Sequence, residues 1–272
     1  MASDYVLGTH RSELERLRFQ HELWSPISEA AWTRAGIHSG QRVLDLGAGP
    51  GFAAADLAAR VGPTGRVLGL ELSADYAAEA QALAQRNDLP QLEVRQHDLL
   101  KDPWPDEHFD LAWCRWLAMF LPDLEPLLAG LGRCLPAGSK VLFHEYVHWD
   151  TFALHPGGES VARFGQACQH SFRAAGGDPD VNRKLPSLLA ARGWQIEELL
   201  PLPVLGRQGS MAAQWMERFV SVYGLQLQRY GLWSVADQTA VLAQIQTAAS
   251  DPGSFWVGPT VMELRARRLD CD

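Results

Sequence analysis

Three glycines at alternate positions are the first residues of the chain whose type and spacing could do chemistry. Gly47, Gly49 and Gly51 lie between an apolar run that ends at Leu46 and a segment, residues 52–60, that is rich in alanine and leucine. The run predicts a buried strand and the segment predicts a helix. Because glycine has no side chain, main-chain amides and carbonyls here can approach a ligand, and the first turn of the helix adds unpaired N–H groups. A strand, a glycine turn and a helix in this order are typical of α/β proteins that bind an elongated, nucleotide-like ligand.

Acidic residues stand at the ends of three successive predicted strands. Asp45 lies two positions before the first glycine, Glu71 ends the second strand, and Asp98 follows the third. Because the carboxyl ends of parallel strands meet at one edge of a sheet, we expect these side chains near one ligand. A carboxylate such as Glu71 can accept hydrogen bonds from both hydroxyls of a ribose. The alternatives are that Glu71 caps the next helix, which Ser73 would do better, and that Asp98 is an ordinary turn residue.

The spacing of the glycines separates two classes of ligand. A dinucleotide site uses G-x-G-x-x-G, and the last glycine of that pattern is missing because Phe52 follows Gly51. The segment V-L-D-L-G-A-G-P-G instead resembles the first motif of class I S-adenosylmethionine (SAM) methyltransferases. The segments Y-V-L-G and E-L-E-R-L-R-F-Q are similar to the lead-in of bacterial small-molecule methyltransferases with a UbiE-like domain. A generic strand, turn and helix of another α/β enzyme is the alternative for the motif alone.

This resemblance implies that the chain binds SAM and releases S-adenosylhomocysteine. In the family's pattern the glycine turn surrounds the methionyl part, the acid after the second strand holds the ribose, and the acid after the third accepts from the adenine amino group. Backbone carbonyls at Gly47 and near Cys114 or Arg115 would meet the ammonium, and N-terminal helices would lie over the cleft. The positions expected to bind the cofactor are Asp45, Gly47, Ala48, Gly49, Gly51, Glu71, Leu72, Asp98, Leu99, Cys114, Arg115, Gln20 and Tyr5.

An acceptor pocket is expected over the carboxyl ends of the fourth and fifth strands. The chain has ten tryptophans, and an aromatic-lined pocket suits an apolar or planar acceptor. Taken one at a time, the residues Trp194, Trp215, Trp233 and Trp256 are interpreted as core residues rather than as ligand contacts. The positions expected to bind the acceptor are Trp116, Met119, Phe120, Tyr146 and Trp149.

A general base is needed only if the nucleophile must lose a proton, because the sulfonium already activates the methyl group. His148 is the first candidate, Glu145 the second and His170 the third. His144 and Glu145 are neighbours on a predicted strand and point to opposite faces, so both cannot contact the ligand. No metal is chemically required, and no metal site is expected.

The charge and composition of the chain argue against several classes of binding partner. The net charge of −8 does not favour binding to a polyanion. Where methyltransferases of nucleic-acid or glutamine amino groups carry a D/N-P-P-Y/F box, this chain has C-R-W-L, which argues against those substrates. The sequence has no membrane-length apolar run, no signal pattern and no C-x-x-C spacing among its four cysteines. We therefore expect a cytoplasmic enzyme, monomeric or homodimeric, that acts on a small molecule and on neither nucleic acid nor membrane.

The predicted architecture is a Rossmann-like, mostly parallel seven-stranded α/β sheet with helices on both faces. Pro26 is expected to interrupt the first helix, with a second one over residues 28–35. N-terminal helices and helical insertions should form a lid over the site. We expect one domain, residues 1–272, made of a cap (1–38), a SAM-binding core (39–147) and lid insertions (150–180 and 205–252).

The predicted function is SAM-dependent methyl transfer to a small-molecule acceptor by O-, N- or C-methylation, with aromatic or quinol-like metabolites as candidates. One alternative keeps the fold and SAM but uses them in a reaction without methyl transfer. A second alternative, a nicotinamide-dependent oxidoreductase, is disfavoured by the missing glycine.

Overall fold

The structure is a computed structural model that describes residues 11–270. The candidate cofactor residue Tyr5 therefore lies outside the described residues. The helices within this range are α1 (Arg11–Ala35), α2 (Phe52–Val61), α3 (Ala74–Arg86), α4 (Glu125–Cys134), α5 (Glu159–Ala174), α6 (Leu185–Ala190), α7 (Met211–Arg229) and α8 (Val235–Ala248). The strands are β1 (Arg42–Leu46), β2 (Arg66–Glu71), β3 (Leu92–Gln96), β4 (Leu111–Arg115), β5 (Lys140–His148), β6 (Ala153–His155), β7 (Trp194–Leu202), β8 (Leu205–Arg207), β9 (Phe255–Val257) and β10 (Thr260–Arg268).

A seven-stranded sheet forms the centre of the fold. Its strand order is β3-β2-β1-β4-β5-β10-β7, and the five strands from β3 to β5 run parallel while β10 is antiparallel to both its neighbours. The order reverses direction between β1 and β4, where Asp45 is in register with Trp113. Such a reversal leaves a crevice at the carboxyl ends of the strands, where ligands bind in open α/β sheets. The predicted fold class is confirmed.

Helix α1 is continuous, and the predicted break at Pro26 is wrong. Proline removes one backbone hydrogen bond from a helix, but tertiary packing on both sides of it can maintain the helix. Trp24 and Trp32 are both fully buried. The ring of Trp32 packs edge-on against Trp113 of the sheet at 5.4 Å between centroids, and that of Trp24 packs edge-on against Trp116 at 5.0 Å. These contacts hold α1 as one continuous helix over the cavity.

A second sheet, which was not predicted, joins the insertions. It has three antiparallel strands in the order β6-β9-β8. Pro259 cannot donate to a strand ladder, and the chain divides there into β9 and β10, which belong to different sheets. Trp256 in β9 is fully buried and packs against Phe152. Helix α7 packs against α1, α5 and α8, so the insertions and the N-terminal helix make one layer.

Among residues 11–270, none of the helices combines the length and the apolar character that crossing a membrane requires.

Candidate functional site

A cavity of about 1040 Å³, counted to its open mouth, lies at the carboxyl ends of β1, β4 and β5. Helices α1 and α7 cover it from the side opposite the sheet. A concave cleft in this position of an open α/β sheet is a typical place for a small-molecule or cofactor site. Its lining residues are Arg16, Leu17, Gln20, His21, Asp45, Gly47, Ala48, Gly49, Pro50, Phe52, Ala53, Trp113, Arg115, Trp116, Met119, Phe120, Tyr146, Trp149, Phe152, Phe172, Trp215, Met216, Phe219 and Pro259.

The three glycines of the turn after β1 have different structural roles. All three have left-handed backbone, with φ of 67° at Gly47, 55° at Gly49 and 84° at Gly51. A Cβ added to Gly51 would lie 2.6 Å from the Cβ of Ala80, so this glycine allows α2 and α3 to approach each other. A Cβ added to Gly49 would meet no atom within 4 Å. Gly49 lines the cavity, so its missing side chain leaves open space for a ligand.

Glu71 connects the glycine turn to the end of β2. Its side chain is buried, and Oε2 accepts a hydrogen bond from the Gly49 N–H at 2.8 Å. The other oxygen accepts from the Ser73 N–H at 2.8 Å, while the Ser73 hydroxyl caps α3 by accepting from the Tyr76 N–H. Burial raises the pKa of Glu71, and the backbone donors oppose that shift. The cap prediction for Ser73 is confirmed, and the carboxylate fixes the orientation of the Gly49 amide.

Asp98 lies in a turn after β3, outside the large cavity. Its Oδ1 accepts from the Leu100 N–H at 2.9 Å, and Oδ2 pairs with the Lys101 ammonium at 2.7 Å. The hydrogen bond from Lys101 lowers the pKa of Asp98. These contacts are those of a turn residue, which was the alternative considered from sequence. The adenine-binding role of Asp98 and Leu99 stays a prediction.

Asp45 and Arg115 are the principal charged pair at the end of the cavity that the glycine turn lines. Burial raises the pKa of Asp45 to about 7, although the charge of Arg115 opposes the shift. The Oδ2 atom of Asp45 is buried and has no hydrogen-bond partner among the described residues. Burial lowers the pKa of Arg115 to about 10. A buried acceptor without a partner at the end of β1 is an atom that a bound ligand or water could satisfy.

His21 of α1 was missed by the sequence analysis and lies beside Arg115. Its Nε2 is 3.0 Å from Oδ2 of Asp56, and its Nδ1 is 3.3 Å from a guanidinium nitrogen of Arg115. Because arginine can only donate, Nδ1 accepts and Nε2–H donates to the Asp56 carboxylate. Arg115 also donates to the Ser28 hydroxyl at 3.0 Å. Helical spacing from Leu17, four residues earlier on the same face of α1, could have indicated His21, but its partners come from distant sequence.

Aromatic side chains form the other end of the cavity. The ring of Trp116 stacks on Tyr146 at 5.8 Å and on Trp215 at 6.2 Å between centroids. The Trp215 indole N–H donates to Oε1 of Gln20 at 3.0 Å, and the same oxygen accepts from Arg16. Gln20 thus joins α1 to α7 directly above the aromatic wall.

The structure brings some of the predicted site residues to the cavity and leaves others outside it. All five predicted acceptor residues line it, as do six of the cofactor residues: Asp45, Gly47, Ala48, Gly49, Gln20 and Arg115. The predicted cofactor residues that do not line it are Gly51, Glu71, Leu72, Asp98, Leu99 and Cys114. Their roles in binding remain predictions.

The candidate general bases lie outside the cavity lining. His148 is exposed with its Nδ1 3.3 Å from Arg183, and His170 is exposed on α5. Glu145 is fully buried, and its Oε1 accepts from the Leu117 N–H at 2.7 Å. The residues with ionisable side chains that do line the cavity are Arg16, His21, Asp45, Arg115 and Tyr146. Within residues 11–270 no group of three or more His, Cys, Asp or Glu side chains is arranged to hold a metal ion.

Comparisons with known proteins agree with this architecture. Residues 43–138 match the family model described as a methyltransferase domain. A 2-phytyl-1,4-naphtoquinone methyltransferase from Nostoc punctiforme is 31% identical over 128 residues, which are 47% of this chain and 54% of that protein. The ubiquinone/menaquinone biosynthesis C-methyltransferase UbiE from Pseudomonas putida is 29% identical over 127 residues, 46% of this chain and 48% of that protein.

A solved structure extends the likeness beyond the matched core. Geranyl diphosphate C-methyltransferase from Streptomyces coelicolor, crystallised with Mg²⁺, geranyl diphosphate and S-adenosylhomocysteine, has a TM-score of 0.57 at 17% identity. The alignment covers 97% of this chain and 87% of that one. At this identity the likeness shows the fold alone.

Residues 43–138 match the methyltransferase-domain family model, and the predicted resemblance to SAM-dependent methyltransferases is confirmed. The chain spans about half the length of the curated relatives it matches.

Proposed function

We propose that the protein transfers a methyl group from SAM to a small-molecule acceptor. The observation that carries this proposal is the open position at Gly49, whose amide is oriented by Glu71 at the edge of a large aromatic cavity. Both this open position and the unpartnered oxygen of Asp45 fit a bound amino-acid and nucleoside ligand. SAM supplies, when bound, a methyl group that is already activated by the sulfonium.

The protein's part in such a reaction is to bind, orient and exclude water. Residues 47–49 would hold the methionyl part, with Arg115 and His21 at its polar end. Glu71 would hold the ribose. The lone pairs of its carboxylate that are not used by Gly49 and Ser73 are available for hydroxyl donors. Asp98 and Leu99 remain the proposed adenine residues.

We propose an apolar, planar acceptor of the aromatic or quinol type. The walls around Trp116 are aromatic, and stacking on rings favours flat, apolar ligands. Arg16 lines this cavity but pairs through two hydrogen bonds with the buried carboxylate of Glu13. That ion pair has no net charge, so it does not favour an anionic acceptor. One relative is named as a 2-phytyl-1,4-naphtoquinone methyltransferase and another as a C-methyltransferase of ubiquinone/menaquinone biosynthesis, and both names fit an acceptor of the proposed type.

If the acceptor's nucleophile carries a proton, that proton must be removed for methyl transfer to be completed. A base role for His148 would require an acceptor that reaches out of the cavity, because that side chain is exposed and does not line it. We therefore propose that an acidic nucleophile has already lost its proton to bulk water when it enters the cavity, and that a carbon nucleophile releases its proton after methyl transfer, once the product reaches solvent. The buried thiols of Cys114, Cys134 and Cys168 suit a reducing compartment such as the cytoplasm.

We propose the single-domain organisation given above, with a cap over residues 1–38, a core over 39–147 and lid insertions at 150–180 and 205–252. Support comes from the packing of α7 against α1 above the cavity. A closed layer of this kind would exclude water from the reacting atoms.

A labelled-methyl assay tests the proposed function. The protein is incubated with SAM that carries an isotopic label in its methyl group and with a panel of phenols, quinols, amines and carbon acids. Label in a product supports methyl transfer, whereas product without label supports the alternative reaction without transfer. A melting temperature raised by NAD(P)H but not by S-adenosylhomocysteine would instead support the oxidoreductase alternative.

Replacing Glu71 by alanine should weaken binding of S-adenosylhomocysteine by about 1–3 kcal/mol, because ribose hydroxyls lose an acceptor and the Gly49 amide loses its anchor. The Glu71→Gln variant keeps one acceptor oxygen and should lose less. Titration calorimetry measures both affinities. Equal affinity in the alanine variant and the wild type would exclude Glu71 from the cofactor site.

Replacing Trp215 by phenylalanine should change acceptor specificity without changing affinity for S-adenosylhomocysteine, because its indole holds the aromatic wall through Gln20. Trp233 is a matched control, since its N–H also bonds a glutamine, Gln238, but it does not line the cavity. The effect is measured as relative KM values for those acceptors that gain label from SAM. A Trp233→Phe variant that alters specificity as strongly as Trp215→Phe would argue against the lid interpretation.

A further inference from the structure

The residue that follows β4, Trp116, has a backbone conformation that residues other than glycine rarely adopt. Trp116 has φ of 52°, in the left-handed region, and its N–H donates to the carbonyl of His144 at 3.1 Å. A short 3₁₀ turn, Ala118–Phe120, follows at once. A bulky residue persists in this conformation only when its surroundings impose it. The contacts of residues 116–118 should therefore show what imposes it.

The carboxylate of Glu145 makes those contacts. Its Oε1 accepts from the N–H of Leu117 at 2.7 Å and from that of Ala118 at 2.8 Å. The thiol of Cys114 lies 3.6 Å from the same oxygen. Glu145 is fully buried. The first N–H groups of a helical turn have no partner within it, so this carboxylate supplies the acceptor that they lack.

Residues 116–118 touch both halves of the cavity. The ring of Trp116 stands between Tyr146 and Trp215 in the aromatic wall. The next side chain, Leu117, packs against the glycine turn so closely that a Cβ added to Gly47 would lie 3.0 Å from it. A shift of these residues would therefore move the acceptor wall and the support of the cofactor turn together.

We propose that Glu145 is a positioning residue, whose carboxylate holds residues 116–118 so that Trp116 forms the acceptor wall and Leu117 supports the glycine turn. This rests on the proposed function for its effect on turnover, but the positioning itself is a property of the chain. It replaces the general-base role expected for Glu145 from sequence. The side chain does not line the cavity, and one of its oxygens is already used by two backbone donors.

Two substitutions separate the reach of this side chain from its charge. Glu145→Gln keeps the length and one acceptor oxygen, whereas Glu145→Asp keeps the charge and draws the oxygens back by one methylene. The wild type and both variants are labelled with 5-fluorotryptophan and measured by fluorine NMR, and a Trp116→Phe variant assigns the Trp116 resonance. Far-UV circular dichroism checks that each variant is folded.

We expect the Trp116 resonance to keep its position in Glu145→Gln and to shift or broaden in Glu145→Asp. Methyl transfer, measured with methyl-labelled SAM and an acceptor that yields labelled product, should stay within roughly threefold of wild type in Glu145→Gln, since no proton transfer through Glu145 is lost. Glu263→Gln is a matched control. Glu263 is equally buried but bonds Arg34, so its replacement should leave the Trp116 resonance in place.

Three results would overturn the proposal. The first is a Glu145→Gln variant that does not fold or whose Trp116 resonance moves. This variant keeps the side-chain length and one acceptor oxygen, which the proposal says are sufficient to position residues 116–118. The second is an unmoved resonance in folded Glu145→Asp. The third is a Glu145→Gln variant with an unmoved resonance that loses roughly a hundredfold or more in methyl transfer, which would make Glu145 a base. Absence of labelled product with the wild type would contradict the proposed function instead, and leaves the NMR comparison as the test of positioning.

Discussion

Gly49→Ala should weaken binding of S-adenosylhomocysteine by about 1–3 kcal/mol, roughly 5- to 150-fold, while the protein stays folded. The added methyl group would meet no protein atom, so it would instead occupy the space left for the ligand. Gly51→Ala should instead lower the stability of the fold and leave the affinity for S-adenosylhomocysteine largely unchanged in the folded protein. Its methyl group would lie 2.6 Å from the Cβ of Ala80, and with left-handed strain this should lower the free energy of unfolding by roughly 2–4 kcal/mol.

Both effects are measured on the same set of proteins, by calorimetric titration with S-adenosylhomocysteine and by urea unfolding. Gly138→Ala is the control for backbone strain. Gly138 also has positive φ, at 86°, and open space around it. It precedes β5 and therefore lies at the amino ends of the parallel strands, away from the cavity. If Gly49→Ala binds S-adenosylhomocysteine as tightly as Gly138→Ala does, the glycine turn is not the cofactor cradle.

The core of the site could be predicted because its signals are local in sequence. Each of its features depends on residues within a few positions of the feature itself. This holds for the glycine turn, for Glu71 at the end of β2 and for the cap at Ser73. Parallel strands then bring their carboxyl ends together by topology, so the position of Trp116 near the glycine turn follows as well.

What could not be predicted depends on contacts between distant segments. The break at Pro26 was expected from the properties of proline alone, but the packing of Trp24 and Trp32 maintains the helix. The partners of His21 lie 35 and 94 residues away, and no spacing rule reaches that far. For Glu145 the residue type was noted as chemically capable, while the backbone groups that it bonds become visible only in three dimensions.

The free energy of unfolding should contain a component from Glu145 that falls as the pH rises. Burial raises the pKa of this carboxyl from 4.5 to about 7 in the folded protein, against the opposing effect of the backbone donors. Between these two values the folded state binds more protons than the unfolded state, so this contribution is full below about pH 4.5 and is lost as the pH rises through about 7. Its total size is on the order of 3 kcal/mol.

Other carboxyls titrate as well, so the test compares the wild type with Glu145→Gln by urea unfolding at about pH 5 and about pH 7.5. The stability of the wild type relative to this variant should be smaller at the higher pH. Glu93→Gln is the control for a carboxyl that has no transition in this window. Hydrogen bonding to Arg95 lowers the pKa of Glu93 below its ordinary value of 4.5, so its contribution is already full above about pH 4.5, and the stability of the wild type relative to that variant should stay nearly constant from about pH 5 to about pH 7.5. A difference between wild type and Glu145→Gln that does not change with pH would mean that Glu145 stays ionised in the folded protein, with its backbone donors compensating for burial.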